Sequence, residues 1–304
     1  MEPGLTLLAP EDWDDYELID SGDGARLERF GRYRFVRPEH QAIWKPALDK
    51  VDWQKADAIF QATNEESGGH WESRRVLAPV WEMQYKGLHF WARFSNSRHL
   101  GVFPEQAVHW DWIDRLIRSV NREVKVLNLF GYTGLATLAA ARAGARVTHV
   151  DASKKSVAWA RENQELARLT DRQVRWIIDD ALKFVQREAR RGQVYDGLIL
   201  DPPKFGRGPK GEVWEVFEKL PELLGECRKV LGDRPQFVVI TAYAIRASAL
   251  SLYYAAQEMM AGVGGFCTAG ELVLKEQSAN RILSTAIYVR WSAKQNESVS
   301  GDEP

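Results

Sequence analysis

From residue 124 onward the chain alternates short apolar runs with amphipathic stretches, and that alternation limits what it can fold into. "VKVLNLF" reads as a strand and "TGLATLAAARAG" as a small-residue helix closed by Gly144. "ARVTHVD" and "SKKSVAWARENQELARL" repeat the unit, with Ser153 as the helix cap. "QVRWIID" with "DALKFVQREARR", "YDGLILD" with "VWEVFEKLPELLGECRKVL", and "QFVVITAY" with "SALSLYYAAQEMMAG" continue it. Such alternation gives a parallel sheet covered by helices, and right-handed crossovers leave the doubly wound α/β class. The last two runs, "FCTAGELVLKE" and "RILSTAIYVRW", have no room for a helix between them. They predict an antiparallel terminal hairpin on a mostly parallel, Rossmann-like sheet of seven strands.

Ligands of such sheets sit at the carboxyl ends of the strands, near the switch point. The first strand ends in Asn128-Leu129-Phe130-Gly131-Tyr132-Thr133-Gly134, where two glycines let the backbone bend and approach a ligand. The loop is not G-x-G-x-x-G and carries no basic residue to meet phosphates. A plain tight turn is the competing reading. The second strand ends in Asp151-Ala152-Ser153, and an acid about twenty residues past the loop suits ribose hydroxyls. The third ends in Asp179-Asp180-Ala181, where one acid can accept from an adenine amino group or cap a helix. The fourth ends in Asp201-Pro202-Pro203-Lys204-Phe205. Its prolines lack N–H groups and fix φ, so the segment is stiff and offers carbonyl acceptors without donors. An ordinary strand exit is the alternative. Acids, amide and flat surface without a pyrophosphate site fit a cofactor built of adenine, ribose and an amino acid tail. S-adenosylmethionine (SAM) is such a molecule, and its sulfonium and ammonium suit an acidic pocket.

Taken together, these motifs resemble class I SAM-dependent methyltransferases over residues 72 to 291. They are similar in particular to the branch with "NLFGYTG" and "LDPPKF", which includes bacterial 23S rRNA cytosine-C5 methyltransferases. The resemblance implies that the first loop cradles the methionine part of SAM, Asp151 the ribose and Asp180 the adenine. "HLGVFPEQ", residues 99 to 106, resembles a segment that closes over the cofactor, which makes Gln106 a further candidate. One departure changes the chemistry expected. Cytosine-C5 enzymes need a cysteine thiolate to attack the ring, and in that branch it lies just past the fifth strand. Here that place reads "VVITAYAIRAS", while Cys227 sits mid-helix and Cys267 starts a late strand. Nitrogen needs no covalent adduct, so a nitrogen acceptor is expected. Asp201 and the Pro202 and Pro203 carbonyls would then hold an amino group and aim its lone pair at the methyl. Phe205 would stack on a flipped base, although amino-methylating families place that aromatic directly after Pro-Pro. Lys204, protonated at pH 7, would contact phosphate rather than act as a base. Arg207 and Lys210 fall in a Gly/Pro-rich loop, 206 to 211, either a mobile lid or a solvated connection.

The front of the chain has another texture. Of twelve tryptophans, eight precede residue 113, and "GARLERFGRYRFVRP" and "WEMQYKGLHFWARF" read as hairpins around Gly31 and Gly87. "FPEQAVHWDWIDRLIRSV" reads as a helix with Trp110, Ile113 and Ile117 on one face. Arg26, Arg29, Arg32, Arg34 and Arg37 are interleaved with Phe30, Tyr33 and Phe35. This is the pattern of an RNA-contacting hairpin or of an amphipathic strand with its aromatic face in the core. Residues 1–115 are therefore expected to form a β-rich domain for substrate recognition, 116–292 the SAM-binding domain, and 293–304 a disordered tail. A net charge of -1 excludes a strongly basic nucleic-acid protein but leaves room for a local basic face. Two cysteines give neither a disulfide framework nor metal spacing, and no apolar run reaches the ~18 residues of a membrane helix. The start lacks a signal-peptide apolar region, so a cytoplasmic setting without membrane or metal is expected. The reading that follows is a SAM-dependent methyltransferase acting on structured RNA, such as ribosomal RNA, at nitrogen. Its rivals are a protein or small-molecule acceptor, a nicotinamide-dependent oxidoreductase, and a non-catalytic SAM- or RNA-binding module.

Overall fold

Eight strands form the central sheet in the computed structural model, which describes residues 4–63, 68–95, 97–243 and 245–294. In spatial order they are Leu5–Leu8, Phe266–Lys275, Ile282–Ser292, Phe237–Tyr243, Gly197–Leu200, Lys125–Leu129, Arg146–Asp151 and Val174–Ile178. All neighbours pair in parallel except Ile282–Ser292, which runs antiparallel to both strands beside it. The seven expected strands are present, and the terminal hairpin, expected at one edge, is covered there by a further strand. The eighth, Leu5–Leu8, joins from the far front of the chain in register with Ala269–Leu272. Gly270 permits this approach, because a β-carbon there would run into the Thr6 carbonyl.

Helices Leu135–Arg142, Lys154–Leu166, Ala181–Arg190, Val216–Val230 and Ala249–Met259 complete the alternation. Ser153 caps its helix as expected, its hydroxyl accepting from Ser156 N at 3.2 Å. The fourth helix starts at Val216 rather than at residue 213, because Val213–Glu215 forms a short strand of its own. Gly197–Leu200, in the middle of the sheet, is buried at every residue, as a strand covered on both faces must be.

Ahead of this lie a five-stranded sheet, from Tyr16–Gly22 to Gly69–Ser73, and the hairpin Val80–Tyr85 with Leu88–Arg93. Both hairpins expected around Gly31 and Gly87 are formed. Phe30, Tyr33, Phe35, Trp81 and Phe90 share one core with Leu135, Leu138 and Ala139 of the first sheet helix. The β-rich front is thus packed directly onto the element that follows the first loop. Trp81 and Trp110 are buried in that core, and Trp112 is buried in a separate one with Val126 and Phe237.

The arginine-rich strand divides as its alternation predicts, with Tyr33 and Phe35 buried and Arg32 and Arg34 exposed. Its aromatic face belongs to the core and offers no stacking surface. Arg37 forms a bidentate pair with Glu28 through Nε and Nη2, both at 2.7 Å, and Arg26 Nε lies 3.2 Å from the same carboxylate. Arg29 is held by Glu17 at 3.1 Å. Three of the five arginines therefore serve internal pairing, and only Arg32 and Arg34 of this hairpin face solvent.

Of the expected disordered tail, 295–304 lies outside the described residues. Among the described residues no helix is long and apolar enough to cross a membrane.

Candidate functional site

A cleft opens at the carboxyl ends of Lys125–Leu129 and Gly197–Leu200, the switch point of the sheet, and encloses about 470 Å³ with open solvent included. It brings together Gln106, Asn128, Phe130, Gly131, Tyr132, Thr133 and Asp201, residues far apart in the chain. Gln106 Nε2 donates to Asp201 Oδ2 at 3.1 Å, so the 99–106 segment and the fourth strand tip meet directly.

The first loop is strained and tightly held. Phe130 and Tyr132 have φ of 59° and 49°, left-handed values that bulky residues avoid. Such strain persists where neighbours over-determine the backbone. Here Gly131 N donates to Val150 O at 3.1 Å, Tyr132 N to Asp151 Oδ2 at 2.8 Å and Thr133 Oγ1 to Gly101 O at 2.7 Å. Asn163 Nδ2 adds a bond to Thr133 O at 2.9 Å. Gly134, with φ of 83°, makes the expected bend into the helix. Gly131 lines the cleft and meets a further demand: a β-carbon there would run into the His149 ring beneath the loop. Asn128 likewise works from below, its Nδ2 donating to Thr137 Oγ1 at 2.8 Å, which meets His149 Nδ1 at 2.9 Å.

The next two strand tips lie outward of this cleft. Asp151 accepts from Tyr132 N and, at 2.8 Å, from Ser153 N, leaving one lone pair on each oxygen for a ligand. Burial raises its carboxyl pKa, and the two backbone donors only partly offset that. Asp180 Oδ1 caps its helix by accepting from Lys183 N at 2.9 Å. Asp179 accepts from Asp180 N and pairs with Arg187. Asp151, Asp179 and Asp180, with Ala152, Ser153 and Ala181, do not line the cleft itself.

At the fourth tip, burial and the nearby Glu105 carboxyl push Asp201 up to about 8, and the Gln106 hydrogen bond lowers it only in part. Glu105 is 3% exposed, its Oε2 has no hydrogen-bond partner among the described residues, and burial raises its pKa too. Two under-compensated carboxyls beside one cleft suit a cationic ligand, and this is the observation on which SAM fits the residues present.

The rest of the Asp-Pro-Pro segment is arranged differently from expectation. The Pro203 carbonyl is engaged: Trp214 Nε1 donates to it at 2.7 Å. One lone pair of that carbonyl remains, and of Asp201, Pro202 and Pro203 it is Asp201 that lines the cleft. The start of loop 206–211 is strand, Phe205–Arg207 pairing with Val213–Glu215, and the rest is the largely exposed turn of that β-hairpin. Phe205 stands on that hairpin, 54% exposed and outside the cleft lining, and the Lys204 carbonyl accepts from Val216 N at 3.1 Å.

Phe103, Glu105, Trp214 and Tyr243 carry weight that the sequence did not single out. Phe103 lies 5.0 Å from the Tyr243 ring and 5.8 Å from Tyr132, and Phe130 lies 4.8 Å from Trp214. Phe103, Phe130 and Tyr132 line the cleft, with Tyr243 packed against Phe103 and Trp214 against Phe130. Neither cysteine lines it. Cys227 is buried in the core with its thiol pKa raised by burial, and Cys267 is pushed up to about 11 by the same cause. Among the described residues no group of three or more His, Cys, Asp or Glu side chains is placed to hold a metal ion.

Comparison with known proteins agrees with this geometry. A family model described as S-adenosylmethionine-dependent methyltransferase matches residues 47–240. The crystal structure of a SAM-dependent methyltransferase from Agrobacterium tumefaciens superposes with a TM-score of 0.91 at 49% identity, covering 95% of this chain and 94% of that one. A ribosomal RNA large subunit methyltransferase K/L from Shewanella sp. is 35% identical over 127 residues, 41% of this chain. Its counterpart from Allochromatium vinosum is 36% identical over 125 residues. The matched stretch is 18% of the Shewanella protein and 16% of the Allochromatium one, so this chain spans less than a fifth of either.

Proposed function

This chain belongs to the S-adenosylmethionine-dependent methyltransferase family, and we propose that its acceptor is a nitrogen atom of structured RNA, ribosomal RNA before others. When bound, SAM supplies an electrophilic methyl group on a sulfonium. The rest is the work of this chain's residues. The 128–134 loop and Gln106 hold the amino acid part of the donor. Asp151 takes the ribose hydroxyls through its remaining lone pairs. Asp180, with one oxygen spent on its cap and the other open, takes the adenine, while Asp179 is committed to Arg187.

Asp201 and the Pro202 carbonyl accept hydrogen bonds from the acceptor's amino group and point its lone pair along the line of transfer. Positioning two reactants in this way contributes up to about 7–11 kcal/mol. The observation that carries the choice of nitrogen is the placement of the thiols. Carbon methylation needs a thiolate at the ring, and both cysteines lie off the cleft with raised pKa values. RNA is favoured by the relatives' printed activity and by Arg32 and Arg34 on the outer face of the front sheet. In this proposal the front sheet, residues 16–73, recognises substrate and 116–292 carry the chemistry in the cytoplasm. The expected boundary at 115 is corrected, because Leu5–Leu8 joins the central sheet, the segment ending in Gln106 meets Asp201, and helix Ala107–Arg118 runs across it. Nucleoside mass spectrometry of ribosomal RNA from cells with and without the protein tests it. One N-methylated nucleoside should be missing without the protein, and an identical nucleoside profile would refute RNA as acceptor.

A further inference from the structure

We infer that the outward face of the Phe205–Glu215 hairpin is a docking surface for single-stranded RNA beside the target nucleotide, with a base stacked on Phe205 and a phosphate held by Arg207. The inference rests on the RNA reading above. Antiparallel register sets the face. Phe205 pairs with Glu215, Gly206 with Trp214 and Arg207 with Val213. Residues directly opposite share a face and successive residues alternate. Phe205, Arg207, Val213 and Glu215 therefore point one way, and Gly206 and Trp214 the other. Exposure agrees: Phe205 and Val213 are each 54% exposed, Arg207 is exposed, and Trp214 is buried.

Arg207 and Glu215 are the charged residues of this face, and the acids of the hairpin make internal contacts. Glu212 accepts from Lys183 Nζ at 2.7 Å and from Lys210 N at 2.8 Å. Glu215 caps the following helix by accepting from Glu218 N at 2.9 Å. Both acids are thus occupied internally. The Arg207 guanidinium makes no hydrogen bond or ion pair among the described residues. An aromatic ring and an uncommitted guanidinium on one face match a polyanion whose bases have open π-faces.

The face is also fixed in place. Trp214 ties the inner side to the Pro203 carbonyl, and Val216 N ties the end of the second strand to the Lys204 carbonyl. It begins two residues after Pro203, so RNA lying on it runs straight into the seat at Asp201. A surface already ordered loses little entropy on binding.

Fluorescence anisotropy of the full chain with a short single-stranded RNA oligonucleotide tests this. Phe205→Ala should weaken binding about 5- to 100-fold, the range of one lost base stack. Arg207→Ala should flatten the slope of log affinity against log salt by about 0.7, the value of one phosphate contact on a single strand. SAM affinity by calorimetry should stay at the wild-type value in both variants, which shows that the fold is intact. If both variants bind RNA as the wild type does, with the same salt slope, while the wild type methylates RNA, the docking face is overturned and the proposed function stands. If the wild type neither binds nor methylates RNA, both fall.

Discussion

Binding of SAM should expel a proton from Asp201. In the free protein that carboxyl titrates at about 8, driven up by burial and by Glu105. At pH 7 it is therefore roughly 90% protonated. A unit positive charge about 4 Å away, at an effective dielectric near 20, stabilises the carboxylate by about 4 kcal/mol. That corresponds to a drop of about three pKa units, to near 5, and so to release of roughly 0.9 proton per donor bound at pH 7. S-adenosylhomocysteine shares the ammonium but lacks the sulfonium, so it should release measurably less. The assay is titration calorimetry in phosphate and in Tris, whose ionisation enthalpies differ. The dependence of the observed heat on buffer gives the protons released. Affinity for SAM should also rise with pH up to about pH 8, by up to about tenfold per unit. The Asp201→Asn variant should lose the excess release over S-adenosylhomocysteine. Equal proton release for the two ligands, or undiminished release in Asp201→Asn, would refute the placement of the sulfonium beside Asp201.

Three further outcomes follow from the same geometry. Because the folded Asp201 pKa lies above its unfolded value of 3.8, folding binds a proton between about pH 4 and 8, and its cost to the ligand-free fold grows as pH rises through that window. Asp201→Asn should therefore raise the Tm of the free protein at pH 8 more than at pH 5, while methyl transfer falls by at least about 100-fold; a lower Tm at both pH values would contradict this. Trp214→Ala removes a buried indole and the donor to Pro203, and should cost about 3–5 kcal/mol in urea unfolding together with a raised KM for RNA. Replacing both Cys227 and Cys267 by alanine should leave methyl transfer within about twofold once correctly folded protein is compared, and loss of transfer would point to a thiol adduct.

The chain's alternation made the sheet readable because each strand and helix there is specified by its own local pattern. Asn128 to Gly134 and Asp201 were readable for the same reason, since strand ends at a switch point gather by topology alone, whereas Gln106, in the helical turn Pro104–Gln106, was reached only through the resemblance of its segment. What escaped depends on partners distant in sequence. Leu5–Leu8 is only four residues long, and its pairing partner lies about 260 residues away, next to a glycine that only the folded sheet explains. "GRGPKG" reads as a breaker-rich loop, and only the cross-strand pairing of Trp214 with Gly206 turns it into a hairpin. That pairing also engages the Pro203 carbonyl, which the sequence offered to the acceptor. Glu105 sits in a first helical turn, where acids usually face water, yet the packing of the front sheet leaves it 3% exposed. Gly131 lines the cleft as a ligand-facing glycine would, but nothing in the loop shows that His149, eighteen residues on, lies beneath it and also demands a glycine.

The account turns on a donor cation held at the sheet's switch point and an acceptor nitrogen seated at Asp201. The most direct measurement incubates the purified chain with SAM carrying a deuterated methyl group and ribosomal RNA from cells lacking the protein, then locates the label by nucleoside mass spectrometry. The label should appear on a base nitrogen, and Asp201→Ala should abolish it. Label on a base carbon, or on no nucleoside at all, would contradict the account.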